Sequence, residues 1–565
     1  MLSIGKMGAG QEGYYLAKVA EGAEDYYSGE GEAEGYWLGD SAEDLGLQGK
    51  VDPDQLVGML TGHNPATGDP FGLQHVAGKG PVPGFDLTFG APKSVSVIWA
   101  LGGQGAAAEV KAAHAAAVQA GLDYLQGAAC WTRRGKGGRV FLKGNGFLGA
   151  GYVHRSSRAG DPHLHTHVLV ANATFAEGRW TRLYHPALYE HAKTASAVYE
   201  AHLRDELTRR LGVRFKEVRN GIAEIEGFAP DHLRHFSKRR LEILEAAGPG
   251  ASANALQVAT LATRPAKEAE AEGETMRDRW RREAEEIGLT REAVRSTFAN
   301  EKAVPYDGRI TIAEVEARVT EFASHFDRRD VIQAVGNCLR SGAPGAKVEE
   351  LADAFIAKAD LVLFASSPKG ERFTTRAIWE LEQKALGTVE DMAAQQHRAV
   401  VSEIVVGRVL AERPSLKPDQ RAMVERLLTG GEGVVVVIGE AGTGKTYALA
   451  AAARGWESQE IPTRLRAAAP TWRAANVLRA EGFDATSAAR LLGELDRAAA
   501  SGEGGLGRGS VLLVDEAGMV DSRNLARLID HAREAEAKLV LIGDPAQLGE
   551  IEAGGLFAAI ASRTD

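Results

Sequence analysis

The sequence predicts an α/β multidomain protein, with an antiparallel sheet and helices in its N-terminal half, a helical connector, and a parallel α/β domain at its C-terminal end. Three observations predict it. A strand–turn–strand pattern occupies "NGFLGAGYVHRSSRAGDPHLHTHVLVAN", residues 145–172, a strand–glycine loop–helix pattern occupies 434–452, and apolar residues at helical spacing fill much of the stretch between. With 565 residues, 44% of them hydrophobic, the chain is long enough for about three or four cores.

From the N-terminus, the first feature is two tyrosine pairs, Tyr14-Tyr15 and Tyr26-Tyr27, in a chain only 7% aromatic. A tyrosine hydroxyl forms covalent intermediates once activated. Adjacent tyrosines on a helix point about 100° apart, so one of each pair can pack while the other faces a cleft; taken alone, the tyrosines are better accounted for by ordinary core or surface packing. At "GFDLTFGAPKSVSVIWAL", residues 84–101, Asp86 interrupts an apolar strand. A buried carboxylate needs a partner, so an inward Asp86 faces a metal ligand or a nucleophile's proton.

Four histidines crowd residues 154–167 in a chain that has fifteen. His163, His165 and His167 alternate with Leu164 and Thr166, so on a strand the three imidazoles share one face. The preceding "SSRAGDP" carries the Gly, Asp and Pro of a turn. With the turn centred between Ala159 and Gly160, antiparallel pairing sets His154 opposite His165, with His167 next on the same face. Three converging imidazoles hold a metal ion and leave positions open for substrate. His163, nearer the turn, is the spare, either supporting a ligand or facing a bound partner.

These residues carry a resemblance. The tyrosine pairs, "LGLQGKVD", "FDLTFGAPKSVSV" and "HRSSRAGDPHLHTHVLVAN", in this order, resemble the relaxase domain of MobF-type conjugative relaxase-helicases, the TrwC/TraI class. The resemblance implies a two-layer fold of antiparallel sheet and helices over residues 1–300. It implies His154, His165 and His167 as ligands of a divalent metal, Tyr14 as first nucleophile, Tyr26 for a second transfer, and Asp86 as activator of the tyrosine or orienter of a ligand. The chain departs from the family in placing His163 where glutamine is usual and in the longer insert between its tyrosine pairs. The implied activity is a site- and strand-specific nick in single-stranded DNA at a plasmid origin of transfer. The nick is a metal-assisted transesterification that leaves a 5′-phosphotyrosine link and a free 3′ hydroxyl. Imidazole ligands suit zinc and other transition metals better than magnesium, and Mg, Mn and Zn all stay open. Accessory relaxosome proteins and a type IV secretion coupling protein are the implied partners. A rolling-circle replication initiator and a nuclease-dead DNA- and ATP-binding scaffold are the alternatives.

Residues 301–404 are expected to be a helical connector, on patterns such as "IAEVEARVTEFASHF" and "RAIWELEQKALG", with "KGERFTT" a short strand or turn. Upstream, "RPAKEAEAEGETMRDRWRREAEEIG" reads as a charged linking helix whose charges form a solvated face. The third part, 405–565, opens with an apolar strand that runs into Gly439-x-x-x-x-Gly444-Lys445-Thr446 and an alanine-rich helix, the context a P-loop requires. Backbone amides around Gly439, Gly442 and Gly444 would cradle phosphates, Lys445 reach the outer ones, and Thr446 bind magnesium. "SVLLVDEAG" then supplies Asp515 to hold magnesium and Glu516 to prepare a water, and "KLVLIGDPAQL" ends with Gln547 near the terminal phosphate. Together with "LKPDQRAMVERLL" and "AAAPTWRAANVL", these segments resemble the first RecA-like domain of RecD-like superfamily 1 helicases. That resemblance implies ATP with magnesium, Gln420 reading adenine, and Trp472 and Arg473 bordering a single-stranded DNA track. The chain ends shortly after "GDPAQL", so it reads as a relaxase-helicase truncated within its motor, expected to bind nucleotide with little turnover or unwinding.

Composition sets the remaining bounds. The net charge of −10 argues against a uniformly basic nucleic-acid binder, yet "CWTRRGKGGR" and "RHFSKRR" concentrate positive charge beside aromatics, as a phosphate-tracking groove or an ordinary basic surface would. No apolar run approaches a membrane span, and "MLSIGKMGAG" lacks a secretory signal. Cys130 and Cys338 fall in different predicted parts, which argues against a disulfide and for a reducing cytoplasm, a bacterial one by the family resemblance.

Overall fold

The computed structural model describes residues 1–8, 35–73, 82–248, 253–263, 275–298, 304–307, 309–321, 323–367, 370–395, 399–439, 444–459, 463–502, 505–544 and 555–563. The chain forms two compact units, residues 1–318 with 328–357, and residues 319–327 with 358–565.

The first unit is built on a five-stranded sheet of β1 (Leu2–Lys6), β2 (Tyr36–Leu38), β3 (Gly84–Gly90), β4 (Gly149–Ser156) and β5 (Pro162–Ala171), in the order β1-β3-β5-β4-β2. Every neighbouring pair is antiparallel. β4 and β5 pair His154 with His165, as the turn-centred register predicts, and a bulge in β5, where His163 and Leu164 oppose Arg155, then shifts the pairing to Ser156 with Pro162. The turn closes with Gly160 at φ 73°, a left-handed conformation that glycine adopts without a Cβ clash.

Both faces of this sheet are covered. On one face, Leu169, Ala171, Leu148, Ala150 and Tyr152 pack with Trp37 of β2 and with Leu56 and Met59 from the segment after it. The other face meets the long helices α2 (Gln104–Ala129) and α3 (Pro186–Leu211), whose buried Ala113, Ala117, Leu122, Val198 and Leu203 fill the layer between. The sequence of 84–101 does not continue as a strand: β3 stops at Gly90, the chain turns through Ala91 and Pro92, and α1 (Lys93–Leu101) begins. Proline just ahead of the first turn suits a helix start, because its missing N–H has no partner to lose there.

The charged segment near residue 280 is not a solvated linker. Its described part, the helix Met276–Glu286, buries Trp280 to 1% exposure, and the indole Nε1 donates to Gly160 O at 2.7 Å, in the turn of the histidine hairpin. Trp99 of α1 meets the same indole edge-on, with ring centroids 5.8 Å apart. Residues 301–404 likewise form no separate body among the described residues. The helix Arg328–Cys338 buries Val331, Ile332 and Val335, and Arg204 of α3 donates to Gly336 O, so this part belongs to the first unit.

The second unit carries a parallel sheet of β6 (Val434–Ile438), β7 (Leu465–Ala469), β8 (Ala485–Ser487), β9 (Val511–Val514) and β10 (Lys538–Gly543), in the order β6-β10-β9-β7-β8. Parallel strands are buried on both sides, and here one core lies on each face. α4 (Arg376–Ala394), which the sequence places in the connector, contributes Ala385, Leu386, Val389 and Met392 to one of them. α5 (Pro418–Thr429) and α6 (Lys445–Glu457) fill the other. "GERFTT" is a strand, Gly370–Thr375, between Leu361–Ser367 and Phe326–Asp327. Among the described residues no helix is long and apolar enough to cross a membrane, and both cysteines are free.

Removing the indole at 280 deletes a large buried side chain together with its hydrogen bond. Trp280→Ala is expected to destabilise the first unit by about 3–5 kcal/mol. Trp280→Phe, which keeps most of the packing, should cost roughly 1–2 kcal/mol. Chemical denaturation followed by tryptophan fluorescence and circular dichroism measures both.

Candidate functional site

His154, His165 and His167 lie on one face of the β4–β5 hairpin because β-strand side chains alternate and the register sets 154 opposite 165. Their rings form a near-equilateral triangle, with centroids 5.3 Å apart for His154–His165, 4.8 Å for His154–His167 and 5.2 Å for His165–His167. One nitrogen from each lies within 4.8 Å of the others. A tetrahedral ion about 2.1 Å from each nitrogen holds them roughly 3.4 Å apart, which small ring rotations reach. His154 and His165 are buried and His167 is partly open, so the cluster has one side toward solvent.

The surroundings fix which nitrogen each ring presents. His167 Nδ1 donates to both oxygens of Asp86, at 2.8 and 3.0 Å, and lies 3.1 Å from Thr88 Oγ1, which itself donates to Asp86 at 3.1 Å. His165 Nδ1 donates to the His163 carbonyl at 2.9 Å. Both rings thereby turn Nε2 toward the centre, the arrangement in which outer hydrogen bonds set ligand tautomer and basicity. Burial first, then the neighbouring imidazoles, holds His165 well below the ordinary histidine pKa, so it is neutral and ready to ligate.

His163 stands outside the triangle. Its ring stacks on His165 with centroids 4.6 Å apart and 23° between planes, and burial, with Lys93 beside it, pushes its pKa down to about 3. It backs a ligand. Lys93 Nζ donates to Pro162 O at 2.7 Å and ties the start of β5 to α1; burial lowers its pKa to about 8, against the pull of Asp161 and Glu224. Thr88 and Lys93 escape sequence reasoning. Thr88 had a signal, since it stands two residues from Asp86 on the same strand face.

Tyr14 and Tyr26 lie outside the described residues, as do Gly442 and Gln547. Gly5 of β1 pairs with Asp86, so the chain leading to the tyrosines leaves the sheet from the strand beside that carboxylate.

The two basic stretches part company. Trp131–Arg134 and Val140–Lys143 form an antiparallel ribbon with Val140 and Phe141 each 51% exposed, and the Arg133 guanidinium lies over the rings of Phe141 and Tyr184. In "RHFSKRR", Phe236 is buried, Lys238 pairs with Glu283 at 2.8 Å, and Arg239 donates to the carbonyls of Thr260 and Thr263. Much of that charge holds helices together.

In the second unit, Gly439 follows β6, Gly444 is the N-cap of α6, and Lys445 and Thr446 open that helix. Lys445 Nζ donates to Gly439 O. Asp515 follows β9 at the same carboxyl edge of the sheet, where open α/β sheets bind ligands. Burial raises its pKa, while Lys445 opposes the rise, and its Oδ1 accepts the Glu516 amide at 3.0 Å. Glu516 sits at φ 47°, ψ 44°, a strained left-handed conformation of the kind kept at functional sites. Gln420 is buried against Gly444: a Cβ there would meet its Nε2 at 2.6 Å, while its Oε1 accepts the Lys417 amide at 3.0 Å. Trp472 is 48% exposed, with Arg479 rather than Arg473 over its ring, at 4.1 Å.

A paired-strand scaffold with three imidazoles on one face, joined in sequence to a P-loop domain, defines a class. Residues 9–287 match the TrwC relaxase family, and residues 415–565 match the AAA domain family. The chain is thus similar to the TrwC relaxase family over its N-terminal part and to the AAA domain family over its C-terminal part. It is 32% identical over 354 residues to the multifunctional conjugation protein TraI of Escherichia coli, a match covering 60% of this chain and 19% of that protein. It is 34% identical over 168 residues to the RecBCD enzyme subunit RecD of Mycolicibacterium smegmatis, covering 25% of this chain and 29% of that one. The chain thus spans less than a third of each of these relatives. A solved structure of conjugative relaxase TrwC in complex with oriT DNA, in a metal-bound form, aligns with 52% of this chain and 100% of its own, at 29% identity and a TM-score of 0.46.

Because Asp86 holds His167 in place, Asp86→Ala should weaken binding of Zn2+ or Co2+ by about 10–100-fold, and Asp86→Asn by less. Isothermal titration calorimetry reads this directly; wild-type affinity in Asp86→Ala would remove Asp86 from the orienting role.

Proposed function

We propose that the first unit is a DNA-nicking relaxase that cuts one strand of origin-of-transfer DNA by transesterification, with His154, His165 and His167 as metal ligands. The observation that carries the reading is the triangle of imidazoles with two of its Nδ1 groups already tied back. A divalent ion bound there supplies Lewis-acid polarisation of the scissile phosphate. Tyr14 is the nucleophile: its phenolic oxygen bonds to phosphorus, the bond to the 3′ oxygen breaks, and the phenolic proton is lost as the 3′ oxygen gains one. The phosphodiester energy stays in the phosphotyrosine link, so rejoining needs no ATP. Tyr26 serves a second transfer, and Asp86 keeps His167 aimed while leaving solvent access beside it.

Single-stranded DNA fits the ribbon at 131–143, where cations flank an exposed phenylalanine, the pairing of charge and stacking surface that tracks a strand. The second unit, in this reading, binds ATP with magnesium through the loop from Gly439 to Gly444, including Gly442, with Lys445, Thr446 and Asp515; Glu516 and Gln547 handle the attacking water and terminal phosphate, and Gln420 the adenine. Relaxosome proteins and a type IV coupling protein in the bacterial cytoplasm are the partners this function calls for.

The chain incubated with end-labelled single-stranded origin oligonucleotides and Mn2+ should give a covalent band that is lost in Tyr14→Phe, while oligonucleotide binding is retained. Binding with no adduct in the wild type would favour a scaffold without nuclease activity. Independently, Lys445→Ala should abolish binding of a fluorescent ATP analogue with Mg2+ and leave the adduct unchanged.

A further inference from the structure

We infer that Thr166, His114 and Tyr199 form a buried hydrogen-bonded anchor behind the metal strand, with Tyr36 beside it, and that Thr166 is a positioning residue for the metal centre. The inference rests on the three-histidine site described above and adds residues that contact no metal or DNA.

Thr166 stands between His165 and His167 on β5, so alternation sends its hydroxyl to the opposite face of the sheet, into the helix layer. There His114 of α2 reaches Thr166 Oγ1 with Nε2 at 2.9 Å, and its Nδ1 meets Tyr199 OH of α3 at 2.9 Å. Tyr36 of β2 extends toward the same threonine. Its ring lies across Gly151, where a Cβ would meet the ring at 2.9 Å, so the glycine makes room for this reach. Thr166 and Tyr199 are 0% exposed and His114 1%. Burial pushes the His114 pKa down to about 3, so the imidazole is neutral, with one nitrogen donating and the other accepting. A threonine hydroxyl has one proton and two lone pairs, so it can take either role toward His114.

One helix therefore reaches the hydroxyl of the residue between two ligands directly, and a second helix braces it through the His114 ring. Backbone pairing with β3 and β4 fixes the strand in the plane of the sheet. The hydroxyl anchor fixes it perpendicular to that plane, the direction in which His165 and His167 project. An apolar residue would fill the helix layer more simply, because every buried polar group needs a partner there. Thr166 and His114 thus act as a second support for the ligand rings, from the side away from them.

The test is Co2+ binding by the full chain, read by titration and by the visible d–d bands of the loaded protein, with thermal melting in parallel. Thr166→Val, equal in shape, should weaken Co2+ affinity by about 10-fold or more and alter the d–d spectrum at temperatures where the protein is folded. Thr166→Ser should restore both. Tyr199→Phe, which removes a hydroxyl one step further away, should give a smaller change in the same direction and serves if Thr166→Val does not fold. A lower melting temperature with unchanged Co2+ affinity and spectrum overturns the inference and leaves the metal site standing. Failure of the wild type to take up Co2+ overturns the metal site itself.

Discussion

The pairing register of two strands governs the first unit. In β4 and β5 the side-chain period is two, so a slip of one residue would send His165 and His167 into the helix layer and bring Thr166 and Val168 to the metal face. The turn at 157–161 holds that register with Gly160 in the left-handed region and with Ser157 and Asp161 bonded across it. The bulge at His163 and Leu164, opposite Arg155, takes up the mismatch on the turn side, so the pairing of His154 with His165 survives. A site made this way needs no long-range search for its ligands: they arrive together once the hairpin closes.

What the hairpin does not supply is stiffness, and the rest of the unit provides it from several directions. Asp86 and Thr88 come from the neighbouring strand and fix the ring of His167. His163 lies flat against His165. Lys93 and Trp280 grip the β5 side of the turn through the carbonyls of Pro162 and Gly160. Each of these groups acts from outside the triangle of imidazoles. The second unit follows the opposite strategy, with its chemistry at the carboxyl edge of a parallel sheet whose strands are buried on both faces.

The hairpin, its register and the face shared by three histidines were legible in the sequence because strand alternation and turn composition are local. The P-loop strand and helix were legible for the same reason: Gly439, Gly444, Lys445 and Thr446 are contiguous, and their flanks read clearly. The misreadings were tertiary. The helix at 276–286 has a solvated, charged look except for Trp280, and a single tryptophan cannot announce that its indole will dock on a turn more than a hundred residues away. The stretch 301–404 looked like one connector since its helices share a periodicity. Periodicity tells which face is apolar, not which core receives it, and here one helix packs on α3 while another lies under the parallel sheet. Strand β3 was read too long, since Val, Ile and Trp after Pro92 suit either state and only the proline marked the change.

The most direct test is the coordination shell of the metal-loaded protein. X-ray absorption on the chain loaded with one equivalent of Zn2+ should show three imidazole nitrogens at about 2.0–2.1 Å. A first shell with one imidazole or none would contradict the claim that the hairpin gathers residues 154, 165 and 167 around a single ion.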